Sequence, residues 1–267
     1  MEPYDSQITY WLHHASHCDL SPQHRQATRH LEESLHRLER KRKAIEAVRA
    51  RIPRTGLGLV APSEAQQHDL FDTTQDFFQT YYATISALAA FLNYAKRVTR
   101  ADVPTRSIAK FIDFLRSGYL RRRNSSYRAL MSARDFRTVL DHSPGHATFD
   151  WLTNGSAKQP VHIVLFSRRA GRVPEGADGD PAIGWAFRAP DDAQVMEALI
   201  EALAFIFGRL TAEYRTPQMD ATCSWEADGF GSAPAIAFEN HVGELMRTSP
   251  RTAFDGPHLR APRENST

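Results

Sequence analysis

Between Ala133 and His146 the chain reads ARDFRTVLDHSPGH. Arg134, Arg137, Asp141 and His142 fall within nine residues there, and Pro144 and Gly145 follow at once. Arginine presents a planar fork of N–H donors that matches phosphate oxygens. Histidine exchanges a proton near neutral pH. RNA carries its own nucleophile, the 2′-hydroxyl, so a proton carrier and a phosphate clamp can suffice for its cleavage without metal. The pattern therefore points to phosphate chemistry, with His142 as proton carrier and Arg137 as phosphate stabiliser. Arg134 and Asp141 would orient these groups or add charge. A structural role stands beside this one, because cations in the last turn of a helix interact favourably with its negative end.

The element that must position these residues is a helix from Tyr127 to about His142, capped by Ser125 or Ser126 and ended by Pro144 and Gly145. A step of about 100° per residue from Arg134 puts Thr138 at about 40° and His142 at about 80°. The same step puts Asp141 at about 340° and Arg137 at about 300°, so all five share an arc of about 140°. Ala133, Phe136, Val139 and Leu140 fall mainly on the other side, toward a core. Arg137 and His142 lie at opposite edges of the polar arc. A two-fold dimer through this face would gather two copies of each around one groove.

Just before this helix, YLRRRNSSYR places Arg121, Arg122, Arg123 and Arg128 beside Tyr127. Basic residues interleaved with aromatics can hold single-stranded RNA through phosphates and base stacking. A charged, solvated inter-helix turn is the plainer alternative. The basic run RKRKAIEAVRARIPR is read as a solvated helix face. WLHHASHC sets His13 and His17 one helical turn apart, with His14 and Cys18 near, but no fourth ligand follows at a familiar spacing, and no metal is expected. GLGLVA loosely fits a dinucleotide fingerprint yet follows a helix and lacks a βαβ setting.

Around this segment the pattern is helical. Ser21 is a plausible N-cap, with Pro22 opening a helix to Arg51 whose inner stripe is Leu31, Leu35, Leu38, Ile45 and Val48. A second helix runs from Ser63 or His68 to Val98, with a seam of Phe78, Tyr81, Ile85, Leu88 and Leu92. Phe71, Phe77, Tyr82, Phe91 and Tyr94 widen that seam and make this the central helix. Pro104 opens a shorter helix from Thr105 to about Arg116. After the motif helix, PVHIVLFS and AIGWAFRA read as two strands of a β-hairpin, about 160–189, joined by a long Gly- and Pro-rich loop. The last strong helix follows Pro190 and ends near Arg215, with Met196, Leu199, Leu203, Ile206 and Leu210 inward. Beyond it, 216–267 loses period and reads as a partly disordered extension, as 1–20 reads as a separate N-terminal segment. The expected fold is mainly α, an up-and-down helical bundle with a β-hairpin inserted before the last long helix.

Among 267 residues, 42% are hydrophobic and 24% charged, the balance of an ordinary globular protein. A net charge of +2 means that affinity for nucleic acid must come from local patches. Two cysteines, Cys18 and Cys223, form no disulfide framework, so a reducing, cytoplasmic location is expected. Glu2 and Asp5 replace the basic start of a signal peptide. The most apolar stretch, Val195 to Phe207, is too short and too acidic to span a membrane.

Arg137-Thr-Val-Leu-Asp-His142 resembles the RxxxxH motif of the HEPN superfamily, the higher-eukaryote and prokaryote nucleotide-binding domains. The helical order, with the motif near the end of a late helix, extends the resemblance over roughly 21–215. It implies a homodimeric, metal-independent endoribonuclease without cofactor, in which this Arg and His line the dimer cleft. A prokaryotic defence setting and a protein partner or antitoxin would accompany such an activity. Active members often carry Asn, Asp or His after the motif arginine, where this chain has Thr138. The alternative is a non-catalytic helical scaffold, or an RNA- or protein-binding module. A third reading is partner binding through Ala235 to Met246.

Overall fold

The computed structural model describes residues 21–52, 54–55, 58–59, 63–95, 102–120, 124–142, 148–152, 161–168 and 171–214. The chain divides into a unit Met1–Tyr214 and a unit Arg215–Thr267, and every described residue belongs to the first. The readings for His13, His14, His17 and Cys18, for Arg121, Arg122 and Arg123, and for 216–267 lie outside the described residues.

Five helices make up most of the described residues: α1 (Pro22–Arg51), α2 (Glu64–Tyr94), α3 (Ile108–Gly118), α4 (Asn124–His142) and α5 (Asp192–Tyr214). No helix among them is long and apolar enough to cross a membrane. The fold is mainly helical, with a small antiparallel sheet placed before the last helix.

Local chemistry accounts for the helix starts. The Ser21 hydroxyl accepts from the His24 amide, with Pro22 in the first turn. Ser63 and Gln66 form a reciprocal capping box at the head of α2, which settles the start that sequence left between Ser63 and His68. Ser63→Ala is expected to lower stability by about 1 kcal/mol, measured as a shift in urea midpoint. α3 begins at Ile108 rather than Thr105, because Ser107, not Pro104, supplies the cap by accepting from the Lys110 amide. Neither Ser125 nor Ser126 caps α4, which starts at Asn124. The Ser126 hydroxyl instead donates to Glu201 Oε2 at 2.6 Å and ties α4 to α5. Asp191 Oδ1 accepts from the Ala193 and Gln194 amides at the head of α5.

α1 and α2 pack antiparallel. Lys41 pairs with Asp76 at 2.6 Å, Arg51 with Asp69 at 3.3 Å, and the Thr84 hydroxyl donates to the Ser34 carbonyl. α2 is the central helix, as its seam predicts: Phe78, Tyr81, Ile85, Leu88 and Leu92 are all essentially inaccessible. Phe77 and Phe91 join them, whereas Phe71 and Tyr82 are half-buried and Tyr94 is 44% exposed. The expected inner faces of α1, α3 and α5 are buried as well.

The sheet is larger than the expected hairpin. Strands β1 (Arg54–Thr55) and β2 (Gly58–Leu59) form a separate two-stranded ribbon across GLG, with no βαβ unit. The main sheet has the order β3-β4-β6-β5, all antiparallel, with β3 Thr148–Leu152, β4 His162–Ser167, β5 Asp178–Asp180 and β6 Gly184–Arg188. β4 and β6 pair as expected, with Leu165 opposite Phe187. β3, Thr-Phe-Asp-Trp-Leu after a Pro-Gly break, carries strand formers that the expected hairpin does not include, whereas β5 is an exposed Asp-Gly-Asp with no apolar alternation. The β5–β6 turn is built locally. Pro181 opens it, Asp180 Oδ1 accepts from the Ala182 amide, and the Ile183 amide donates to the Asp180 carbonyl. Gly184 closes it at φ +138, where a Cβ would stand 2.0 Å from the Ser167 carbonyl oxygen.

A buried polar seam joins the sheet to two helix ends. Arg49 of α1 donates to Asp192 Oδ1 at 2.6 Å and to the Val161 carbonyl at 2.9 Å. His162, 3% exposed, lies in this seam with its Nδ1 unpartnered. Burial, reinforced by Arg188 and Arg49 and opposed by Asp191, pulls the His162 imidazole down to about 4. The unfolded chain therefore takes up a proton near 6.5, before the folded one does. This contribution to stability is complete above about pH 6.5 and is lost as pH falls toward about 4. His162→Gln is expected to lose less of its urea midpoint than the native chain between pH 7 and pH 5. Equal losses would contradict the buried, neutral imidazole.

Candidate functional site

The residues that the sequence points to for phosphate chemistry lie on α4, whose other face is apolar. Ala133 and Phe136 are fully buried, Val139 is nearly so, and Leu140 is partly covered. Phe136 sits between Phe78 of α2, at 4.9 Å between ring centroids, and Phe187 of β6, at 5.5 Å. The Tyr81 hydroxyl donates to the Leu130 carbonyl at 2.8 Å. These contacts fix the rotation of α4, so its polar arc faces outward over α2.

Arg137 lies on that arc with about a quarter of its side chain exposed. Its guanidinium stacks over the half-buried Tyr82 ring of α2, 4.1 Å from the centroid. Its Nη2 pairs with Asp141 one helical turn on. Its Nε is buried without a hydrogen-bond partner. His142 is the last residue of α4 and is exposed. Among the described residues no hydrogen bond or ring contact joins Arg137 to His142. The structure thus brings Arg137 and Asp141 together and leaves His142 at the open end of the same helix, as the edges of the polar arc required.

Arg134 pairs with Asp135 and lies 3.7 Å from Glu175 in the segment before β5. Asp135 is buried, 8% exposed, and burial pushes its carboxyl above the ordinary range against the pull of Arg134. The same burial, with the Asp135 charge adding to it, raises the Tyr81 phenol. Gly176, at φ +79, lets the chain before β5 lie against this corner; a Cβ there would meet Phe187 at 3.2 Å and Asp135 Oδ2 at 3.7 Å. Thr138, the residue after the motif arginine, donates its hydroxyl to the Arg134 carbonyl of its own helix.

From sequence, Asp135, Tyr82 and Glu175 have no place in the site, Tyr82 being read as part of the α2 seam. Helical stepping puts Asp135 at about 100°, on the border between His142 at about 80° and Val139 at about 140°, so its burial is set by packing against the sheet and not by its angle. Tyr82 and Glu175 meet the arginines only through tertiary packing, which no local pattern reports.

The second group behaves differently. Tyr127 donates its hydroxyl to Asp113 Oδ1 at 2.8 Å, and the Arg116 guanidinium lies 4.5 Å from its ring centroid. The hydrogen bond to Asp113 chiefly raises the phenol. One face of the ring is thus taken by the chain itself, and Tyr127 acts first as a link between α3 and α4. Arg128 is exposed on the opening turns of α4. Among the described residues no three His, Cys, Asp or Glu side chains gather into a metal-ligand set.

No protein-family model matches this chain, and no curated protein or solved structure matches it significantly.

Proposed function

We propose that this chain is a HEPN-like helical protein that acts on RNA as a homodimer, as a metal-independent endoribonuclease. One observation carries the reading: a part-exposed arginine, its guanidinium over the Tyr82 ring, and an exposed histidine share the last two turns of α4 with no hydrogen bond between them. Two-fold pairing through this end sets the Arg137 of one copy against the His142 of the other. His142 then takes the proton of an RNA 2′-hydroxyl as O2′ attacks the adjacent phosphorus. Arg137 stabilises the charge that builds on the non-bridging oxygens. The P–O5′ bond breaks, and O5′ leaves with a proton from solvent or from the second copy's imidazolium. The products are a 2′,3′-cyclic phosphate and a 5′-hydroxyl.

The test is incubation of single-stranded RNA with the full chain in EDTA, with the new ends identified chemically. Cleavage leaving cyclic phosphate ends supports the reading, and intact RNA opposes it. A second reading, RNA binding without cleavage, is favoured by one contact: Asp141 already neutralises Arg137. It predicts retention of uncut RNA in a gel-shift assay, sensitive to Arg137.

A further inference from the structure

A guanidinium takes a two-oxygen anion along the edge formed by Nε and Nη2. Arg42 of α1 shows that edge filled: its Nε donates to Glu39 Oε2 and its Nη2 to Glu39 Oε1, each at 2.9 Å. Arg137 shows it half filled, because Nη2 pairs with Asp141 while the buried Nε has no acceptor. One face of the Arg137 plane is covered by Tyr82. The donor edge left incomplete is the one that Asp141 partly occupies. A buried donor without an acceptor is costly, and this edge has donors for one more oxygen than Asp141 delivers to it.

We propose that Asp141 is a latch: its carboxylate holds the anion seat on Arg137, and an RNA phosphodiester displaces it. The proposal rests on the RNA-phosphate reading of this site. A phosphodiester offers two non-bridging oxygens and satisfies Nε and Nη2 together, as Glu39 does for Arg42. Asp141 is well placed to yield. It is on the last turn of α4 with a quarter of its side chain exposed, and a single i,i+4 ion pair on a helix is weak. It turns to solvent without disturbing the buried face of the helix. Asp141 thereby sets the affinity threshold of the site in place of acting as a helper to the reaction.

The experiment measures binding of a fluorescently labelled single-stranded 2′-O-methyl RNA, which has no free 2′-hydroxyl to attack, to the full chain. Asp141→Asn, Arg137→Gln, the double variant and Glu175→Gln are compared with the native chain, each checked to be folded at the assay temperature by a cooperative thermal transition. Asp141→Asn is expected to tighten binding about fivefold, the scale of one exposed ion pair. The gain disappears in the Arg137→Gln background, and Glu175→Gln, which removes a nearby exposed charge, gives less than half of it. If Arg137→Gln weakens binding but Asp141→Asn leaves it unchanged or weaker, the latch is overturned and the phosphate site stands. A gain that survives in the double variant marks a general charge effect and also overturns the latch. If Arg137→Gln leaves binding unchanged, the phosphate reading falls, and the latch with it.

Discussion

His142→Ala and Arg137→Ala are each expected to lower the proposed RNA cleavage at least about a hundredfold, while the protein stays folded. Loss of a positioned proton carrier removes about 10²- to 10⁴-fold of rate, and loss of one group stabilising the transition-state charge removes about 10²- to 10³-fold. The structural costs are small by comparison. His142 is exposed at the end of α4, so its truncation changes stability by no more than about 0.5 kcal/mol. Arg137 loses its stacking on Tyr82 and its pair with Asp141, together about 1 kcal/mol. Initial rates of RNA cleavage in EDTA, set beside urea unfolding curves, separate the two effects. Variants that cut at the native rate would remove both residues from the chemistry and leave them as ornaments of a helix end.

Phe136→Ala lowers stability by about 3–5 kcal/mol, the largest loss expected from any single site near α4. Phe136 is fully buried and is the ring through which α4 meets both Phe78 of α2 and Phe187 of the sheet. Truncation removes apolar surface from the core and leaves a cavity that two helices and a strand cannot close together. Phe136→Leu keeps most of the volume and is expected to cost about half as much or less. Urea midpoints at constant m-value measure both. A loss below about 1 kcal/mol for alanine would contradict the placement of α4 against the sheet.

Much of the bundle was legible in the sequence because its signals are local. Alternating steps of three and four mark the seams of α2 and α5, and Ser21 announces the start of α1 through a single side-chain hydrogen bond. β4 and β6 were legible through their β-branched and aromatic residues. β5 was not, because Asp178-Gly-Asp180 owes its strand conformation to pairing with β6 and not to a face of its own. The candidate site divides the same way. The polar arc of α4 follows from helical angles alone. The arginine's stacking on Tyr82 crosses from α4 to α2, more than fifty residues apart in sequence, and appears only once the helices pack. Ser126 is instructive in the other direction: a good capping residue by type, it serves as a cross-helix donor to Glu201 because α4 starts two residues earlier.

The central claim is that the arginine of one copy works with the histidine of another, since the two do not meet within a chain. Mixing the inactive Arg137→Ala and His142→Ala proteins, with exchange of subunits, tests it most directly. Each mixed dimer then holds one intact Arg137–His142 pair across the interface. The account predicts that cleavage returns to about a quarter of the native level at equal mixing, half of the dimers being mixed and each having one working site of two. Mixed dimers that form and cut no RNA would contradict it.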